Sequence, residues 1–165
     1  MINAAKKLTQ TSDSIVPTLA RVSLGTVMFA HGAQKALGWF GGYGYEGTMG
    51  FLTQGMGLPG LIAFLVIAIE FAGSIALIAG AGGRLAGLGI GAIMIGAVAT
   101  SHLSSGFFMN WSGTQAGEGF EFHILALALA GVVIIKGSGA YSVDRWLHRL
   151  LSSDRKTVPA TPQYA

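Results

Sequence analysis

Residues 59–79 read PGLIAFLVIAIEFAGSIALIA, and Glu70 is the one ionisable side chain in this apolar run. A helix needs about 20 apolar residues to cross roughly 30 Å of hydrocarbon. Pro59 suits the first turn of such a helix, because the N–H that proline lacks would have no partner there. The stretch therefore predicts a transmembrane helix with a carboxyl group about 16 Å past its start, near the midplane.

Three further apolar runs are close to a span in length, and they cover residues 17–36, 84–102 and 120–136. The run at residues 59–79 and the run at residues 84–102 are joined by Gly80-Ala81-Gly82-Gly83. So short a connection predicts that the two helices are antiparallel neighbours. The predicted fold class is all-α: a membrane-embedded, antiparallel four-helix bundle over residues 17–136.

The composition agrees with a membrane protein. The chain of 165 residues has the length of one domain, and 52% of it is hydrophobic while 10% is charged. Soluble domains carry about 25% charged residues, so this chain lacks the side chains for a water-facing surface. It has no cysteine, which excludes disulfides, thiolate chemistry and cysteine-ligated iron–sulfur clusters.

The basic residues predict the topology. The net charge of +3 comes from lysines and arginines at the two chain ends and in the loop at Arg84, so it indicates orientation in a membrane and no nucleic-acid partner. The positive-inside rule places both termini in the cytoplasm. We therefore expect a multi-pass protein of the inner (plasma) membrane, with the lipid bilayer as its first partner. Residues 1–16 form the cytoplasmic N-terminus, and residues 137–165 form an interfacial helix (143–151) and a disordered tail (157–165).

Six polar side chains within or beside the apolar runs form a candidate cluster near the outer face: His31, Lys35, Glu70, His102, Glu121 and His123. Ionisable groups in hydrocarbon cost about 2.5–3.5 kcal/mol each on insertion scales. Membrane proteins therefore retain them where they form ion pairs or serve a function. Glu70, near the midplane, is the strongest functional candidate. His102 and His123, at the edge of the membrane, are as typical of a structural role as of a functional one.

The helical positions give an expected arrangement of this cluster. Side chains tilt toward the N-terminus of their own helix, which brings His31 toward Glu70 in the bundle centre. Lys35 is either a snorkelling interfacial lysine or the ion-pair partner of Glu121. Glu121 and His123 are about 200° apart on a helix, so one of them faces the interior and the sequence leaves open which.

The sequence resembles the DoxX family of small four-helix bacterial inner-membrane proteins over residues 17–146. The motifs that carry the resemblance are Arg21 with Gly25, His31-Gly32-x-x-Lys35, Gly57-x-Pro59, Glu70, the Gly80–Arg84 turn and Gly137-x-Gly139-x-Tyr141-Ser142-Val143-Asp144. The family name derives from a subunit of a terminal quinol oxidase. The resemblance implies a quinone- or redox-linked accessory role beside a respiratory or redox partner protein.

The residues leave other functions open. His31 and His102 lie on different helices near one level, as two axial haem ligands would, and His with carboxylate ligands could instead hold a transition metal. A proton-coupled carrier of small solutes would use Glu70 and His31 as a relay and would need a homo-oligomer, since four spans are few for alternating access. The last alternative is that the chain is a structural partner of another protein and carries out no reaction itself. Catalytic residues, cofactor and enzyme status are therefore not assigned from the sequence.

Overall fold

A computed structural model describes residues 2–153 of the chain, and this part is helical, without β-strands. The predicted disordered tail, residues 157–165, lies outside the described residues. Seven helices are present, with the bounds α1 Ile2–Thr9, α2 Val16–Leu37, α3 Gly44–Gly50, α4 Gly60–Ala79, α5 Gly83–Ser105, α6 Glu121–Lys136 and α7 Val143–Ser153.

Wide π-helical turns interrupt two of the long helices. In α4 the turn covers Ile69–Gly73 and contains Glu70, and in α5 it covers Val98–His102 and ends at His102. A third wide turn, Phe51–Gly55, continues α3. Such turns widen a helix locally and are frequent at functional sites.

The four longest helices pack against one another. Helix α2 contacts α4 and α6, and α5 also contacts α4 and α6. The interior between them is apolar, and its largest fully buried aliphatic side chains are Leu24, Met28, Leu77, Ile90 and Val133. The short helices cover the ends: α3 packs on α2 and α4, while α1 packs on α7.

The turn between α4 and α5 is as short as the sequence predicts. Gly80 and Gly82 both have positive φ, 70° and 64°, a conformation that glycine adopts without steric cost. Gly80 ends α4 in this left-handed conformation, and its N–H donates to the Leu77 carbonyl. The chain therefore reverses within three residues.

The outward faces of the long helices carry large apolar side chains. Leu61, Ile95, Leu125 and Ile135 are each more than 60% exposed, far more apolar surface than a soluble monomer tolerates. Within the described residues two helices, Gly60–Ala79 and Gly83–Ser105, are long and apolar enough to cross a membrane. Helix α2 contains three ionisable residues, Arg21, His31 and Lys35, and α6 has 16 residues, fewer than the about 20 that cross a bilayer. That all four long helices span the membrane therefore remains a prediction.

Candidate functional site

Lys35 and Glu70 form an ion pair between α2 and α4. The Lys35 Nζ donates to the Glu70 Oε2 at 2.6 Å. The Glu70 side chain is 5% exposed and the Lys35 side chain 29%. A buried carboxylate that meets an ammonium on a neighbouring helix forms a charge-assisted hydrogen bond. The pair therefore joins a buried acid to a partly accessible base.

The backbones of α2 and α4 touch one turn before Lys35. A Cβ added to Gly32 would lie 2.6 Å from backbone atoms of Glu70 and Phe71, a distance that no side chain tolerates. Glycine at this position lets the two helices approach closely, as small residues do where membrane helices pack. On the α4 side the wide turn is stabilised by Ser74, whose Oγ donates to the Phe71 carbonyl at 2.7 Å. The position of Glu70 is therefore set by backbone contact on one side and by a wide turn on the other.

Aromatic rings surround the C-terminal end of α2, which also carries Lys35. The Phe29 ring stacks on Phe71 with centroids 5.9 Å apart, and it meets Trp39 edge-on at 6.4 Å. Trp39 in turn meets Phe40 edge-on at 6.4 Å. Phe71 directly follows Glu70 in the wide turn of α4, so the same turn carries a residue of the ion pair and a residue of the aromatic cluster.

His31 is exposed on the surface of α2. Its ring lies 5.9 Å from the Phe122 ring, at the start of α6, and its imidazole lies within electrostatic range of Lys35 and Glu70. The residue that hydrogen-bonds to Glu70 is Lys35, one turn further along α2. That His31 itself approaches Glu70 stays a prediction.

His102 and His123 lie next to each other at the ends of α5 and α6. Their ring centroids are 4.2 Å apart, and the His102 Nδ1 hydrogen-bonds to the Glu118 carbonyl at 2.8 Å. His123 is 5% exposed, and its buried Nδ1 has no hydrogen-bond partner. Across residues 2–153 no group of three His, Cys, Asp or Glu side chains is arranged to hold a metal ion.

Glu121 anchors the loop between α5 and α6, and the predicted ion pair between Glu121 and Lys35 is wrong. The Glu121 Oε1 accepts from the Met109 N–H and from the Trp111 Nε1, both at 3.0 Å. The loop offers these donors nearby, whereas Lys35 is bound to Glu70. Of Glu121 and His123, it is His123 that is buried.

A second polar centre lies at the opposite end of the helices, around Arg21. This arginine is 2% exposed, and its guanidinium donates to backbone carbonyls of two segments, the end of α4 and the connection between α6 and α7. The Nε reaches Ser138 at 2.8 Å, the Nη1 reaches Leu77 at 2.8 Å and also Ile78, and the Nη2 reaches Tyr141 at 2.8 Å. The sequence shows an arginine in an apolar helix, but its acceptors are carbonyls, which every residue type supplies.

Asp144 completes this end of the molecule. Its carboxylate accepts the backbone N–H groups of Gly82 and Gly83, at 2.8 and 3.1 Å, and the Ser138 hydroxyl at 2.6 Å. It thereby satisfies donors at the start of α5 that no helix carbonyl reaches. Arg21 and Asp144 together tie α2, α4 and α5 to the segment before α7, which makes this centre structural.

Comparison with known proteins supports a single family. The model of the family described as DoxX matches residues 16–103, just over half of the chain. A curated protein of Bacillus subtilis (strain 168), named "Putative oxidoreductase CatD", is 29% identical over 131 residues, which cover 79% of this chain and 86% of that protein. No solved structure matches the chain.

Proposed function

Because the chain belongs to the DoxX family of membrane proteins, we propose that it has a redox-linked role in the membrane, with the Lys35–Glu70 pair as the polar centre of a quinone head-group site. The observation that carries the proposal is the ion pair itself, a nearly buried carboxylate held against a partly accessible ammonium. Intramembrane ionisable residues mark functional sites by default.

The proposed architecture is an antiparallel bundle in which α2, α4, α5 and α6 each cross the inner membrane. Helix α2 has 22 residues, about 33 Å at 1.5 Å per residue, which matches the hydrocarbon thickness. Helix α6 is shorter, at 16 residues, and its Lys136 extends the usable length by snorkelling. Within the described part, every lysine and arginine except Lys35 lies at the Arg21 end, which supports a cytoplasmic location for that end and for both termini.

The chemistry of the pair suits a quinone and its quinol. A quinone carbonyl accepts a hydrogen bond, and the Lys35 ammonium donates one. A quinol hydroxyl donates, and the Glu70 carboxylate accepts. The aromatic cluster of Phe29, Trp39, Phe40 and Phe71 offers faces for ring stacking. A site of this kind binds the head group and exchanges its protons, while a respiratory or redox partner protein supplies or takes the electrons.

The named relative supports the same direction. The B. subtilis protein carries the word oxidoreductase in its name, and its similarity covers most of both chains. We propose a redox-linked role for this chain as well, because the proposed site combines Glu70, a group that can carry a proton, with aromatic rings suited to stacking on a quinone.

Purification from native membranes in mild detergent tests the proposal. Lipid extraction of wild type should yield copurified quinone, and the Lys35→Met and Glu70→Gln variants should lose most of it. Glu118→Gln and Lys136→Met are matched controls, because they remove the same charges at exposed positions, and they should retain it.

Absorption spectra of the same samples, oxidised and reduced, cover the alternatives. A Soret band or stoichiometric metal would replace the quinone site by a haem or metal site. Wild-type protein without quinone, or retention that is unchanged in Lys35→Met and Glu70→Gln, would overturn the proposal.

A further inference from the structure

Three histidines lie at one end of the long helices. His31 is on α2, His102 near the end of α5 and His123 at the start of α6. The fourth histidine of the chain, His148, is on α7 at the Arg21 end. The proposed quinone site uses none of the four, so the grouping of three needs an explanation of its own.

The side chains of His102 and His123 are in contact, with ring centroids 4.2 Å apart. His102 is half-buried, and its Nδ1 hydrogen-bonds to the Glu118 carbonyl at 2.8 Å. Because a carbonyl only accepts, the His102 Nδ1 carries the proton, and the Nε2 of the neutral ring has a lone pair. His102 can therefore take up a proton at the edge of the molecule.

His123 has a buried nitrogen that is not hydrogen-bonded. Its side chain is 5% exposed, and its Nδ1 has no hydrogen-bond partner within residues 2–153. Unpaired buried polar atoms are rare in folded proteins, and a redox or catalytic role is one reason for which they are retained. An imidazole takes up a proton on one nitrogen and releases it from the other, as a proton shuttle does. His123, next to a second imidazole, is suited to pass protons on.

His31 connects these two histidines with the Lys35–Glu70 ion pair. It shares a face of α2 with Lys35 at i, i+4. Its imidazole lies within electrostatic range of Lys35 and Glu70, and also of His123. The Phe122 ring is near both histidines, with centroids 5.9 Å from His31 and 5.5 Å from His123. The groups therefore form a series from the buried carboxylate to the end of the bundle.

Two carboxylates lie beside this series, and both are bound to the loop between α5 and α6. The Glu121 Oε1 accepts from the Met109 N–H and the Trp111 Nε1, both at 3.0 Å. The Glu118 Oε2 accepts from the Asn110 N–H at 2.7 Å. These glutamates hold the loop in place, so the imidazoles, whose ordinary pKa is nearest to neutrality, are the better proton carriers.

From these contacts we propose that the three histidines form the path by which the quinone site exchanges protons with water at the end of the molecule opposite to the termini. The inference rests on the proposed quinone site. Reduction of a quinone takes two electrons from the redox partner and two protons, and two O–H bonds form. Each proton enters at His102 and passes through His123 and His31. Glu70 then gives it to a quinone oxygen, and quinol oxidation runs the same steps in reverse.

Proton uptake on reduction of the copurified quinone tests the path. Purified protein in weakly buffered detergent solution, with a pH-indicator dye, is mixed with a reduced viologen, which donates electrons without protons in place of the partner. Wild type should take up two protons per quinone. His102→Ala and His123→Ala should retain the quinone but slow proton uptake about 100-fold, the lower range for proton transfer by a positioned side chain.

Added imidazole separates proton transfer from structural support. Imidazole bound in the cavity of His123→Ala should restore fast uptake, whereas pyrazole, a ring of the same size and a far weaker base, should not. His148→Ala is the matched control, because its Nδ1 is also buried without a hydrogen-bond partner in the described part of the chain but lies at the Arg21 end. It should leave proton uptake unchanged.

Deuterium exchange at Glu70 gives a second readout that needs no quinone. Protein at acid pH, where Glu70 is protonated, is diluted into heavy water, and infrared spectroscopy follows its carboxyl band, identified by its loss in Glu70→Gln. His102→Ala and His123→Ala should slow this exchange. Fast exchange and fast uptake in both variants, or equal rescue by pyrazole, would overturn the path. Wild type without quinone would overturn the quinone site, and the exchange at Glu70 would then decide the path alone.

Discussion

In the Lys35–Glu70 ion pair, each side chain stabilises the charge of the other. A carboxylate that is 5% exposed keeps its charge at low cost only while the ammonium remains 2.6 Å away. Both residues are identifiable in the sequence, because charged side chains stand out in apolar runs. Their pairing is not identifiable. The sequence shows which residues share a helix face, as His31 and Lys35 do at i, i+4, but it does not show which neighbouring helix that face meets.

Removing one partner of the pair should cost more than removing both. We expect Lys35→Met to destabilise the protein by about 2–4 kcal/mol, because it leaves the more buried Glu70 carboxylate alone. Glu70→Gln should cost less, since Lys35 is the more exposed partner, and the double variant should recover part of the loss. Denaturant unfolding followed by circular dichroism in detergent gives the double-mutant cycle. Additive effects would show that the two side chains do not interact.

Tyr141 allows backbone strain to be separated from side-chain contacts. We expect Tyr141→Gly to be more stable than Tyr141→Ala by about 1 kcal/mol, because a φ of 53° suits glycine and strains alanine. Both variants lack the ring, so a difference in stability between them reports the backbone conformation alone. Thermal melts of the two variants side by side give the measurement. Equal melting temperatures would mean that the residue does not adopt this φ in solution.

At the scale of the elements, close helix contact at glycine governs the site. Helices α2 and α4 meet backbone to backbone at Gly32, one turn before Lys35. The sequence predicts the long helices because apolar runs and glycine turns mark them. It does not predict the wide turn at Ile69–Gly73, because neither Glu70 nor Gly73 within it is specific to such a turn. The expected depth of Glu70 rested on a straight helix, and this turn makes α4 depart from one.

Gly32→Ala should separate α2 from α4. A Cβ 2.6 Å from the backbone of the facing helix forces the helices apart, and we expect a loss of about 2–3 kcal/mol, as for other overpacked cores. Quinone retention should fall with it, because Lys35 no longer reaches Glu70. Gly131→Ala is the matched control: it also lies inside a long helix, but a Cβ there meets nothing within 4 Å. It should be neutral or stabilising by about 0.5–1 kcal/mol. Thermal melts in detergent compare the two, and equal effects would contradict the close contact.

At the scale of the whole molecule, the described part has two chemically different ends. One end carries the basic residues and Arg21, and the other carries the histidine pair and the glutamates of the loop between α5 and α6. The two non-glycine residues with positive φ in the described part are both exposed aromatics, Phe40 at one end and Tyr141 at the other. This asymmetry follows from basic residues at chain ends and one turn, so the sequence predicts it well. The Arg21 network escapes sequence analysis, because carbonyl acceptors leave no signature.

The absence of cysteine from the chain makes its topology directly measurable. A cysteine at Thr114, exposed in the outer loop, should react with an impermeant maleimide in intact cells. A cysteine at Lys7, exposed on α1, should react after permeabilisation alone. The positive-inside rule gives this orientation. Labelling of both positions in intact cells, or the reverse pattern, would contradict two cytoplasmic termini.

The position of Arg21 has a consequence for biogenesis. It lies in α2, yet the carbonyl of Ser138 that binds its Nε is synthesised 117 residues later. The Leu77 and Ile78 carbonyls that bind its Nη1 are made earlier, but Nε and Nη2 lack their acceptors until the segment around Ser138 and Tyr141 has been made. That segment therefore completes the environment of Arg21 after α2 and α4 have been synthesised. A chain that stops before Ser138 would leave two of the guanidinium nitrogens without the carbonyls that bind them in the folded protein.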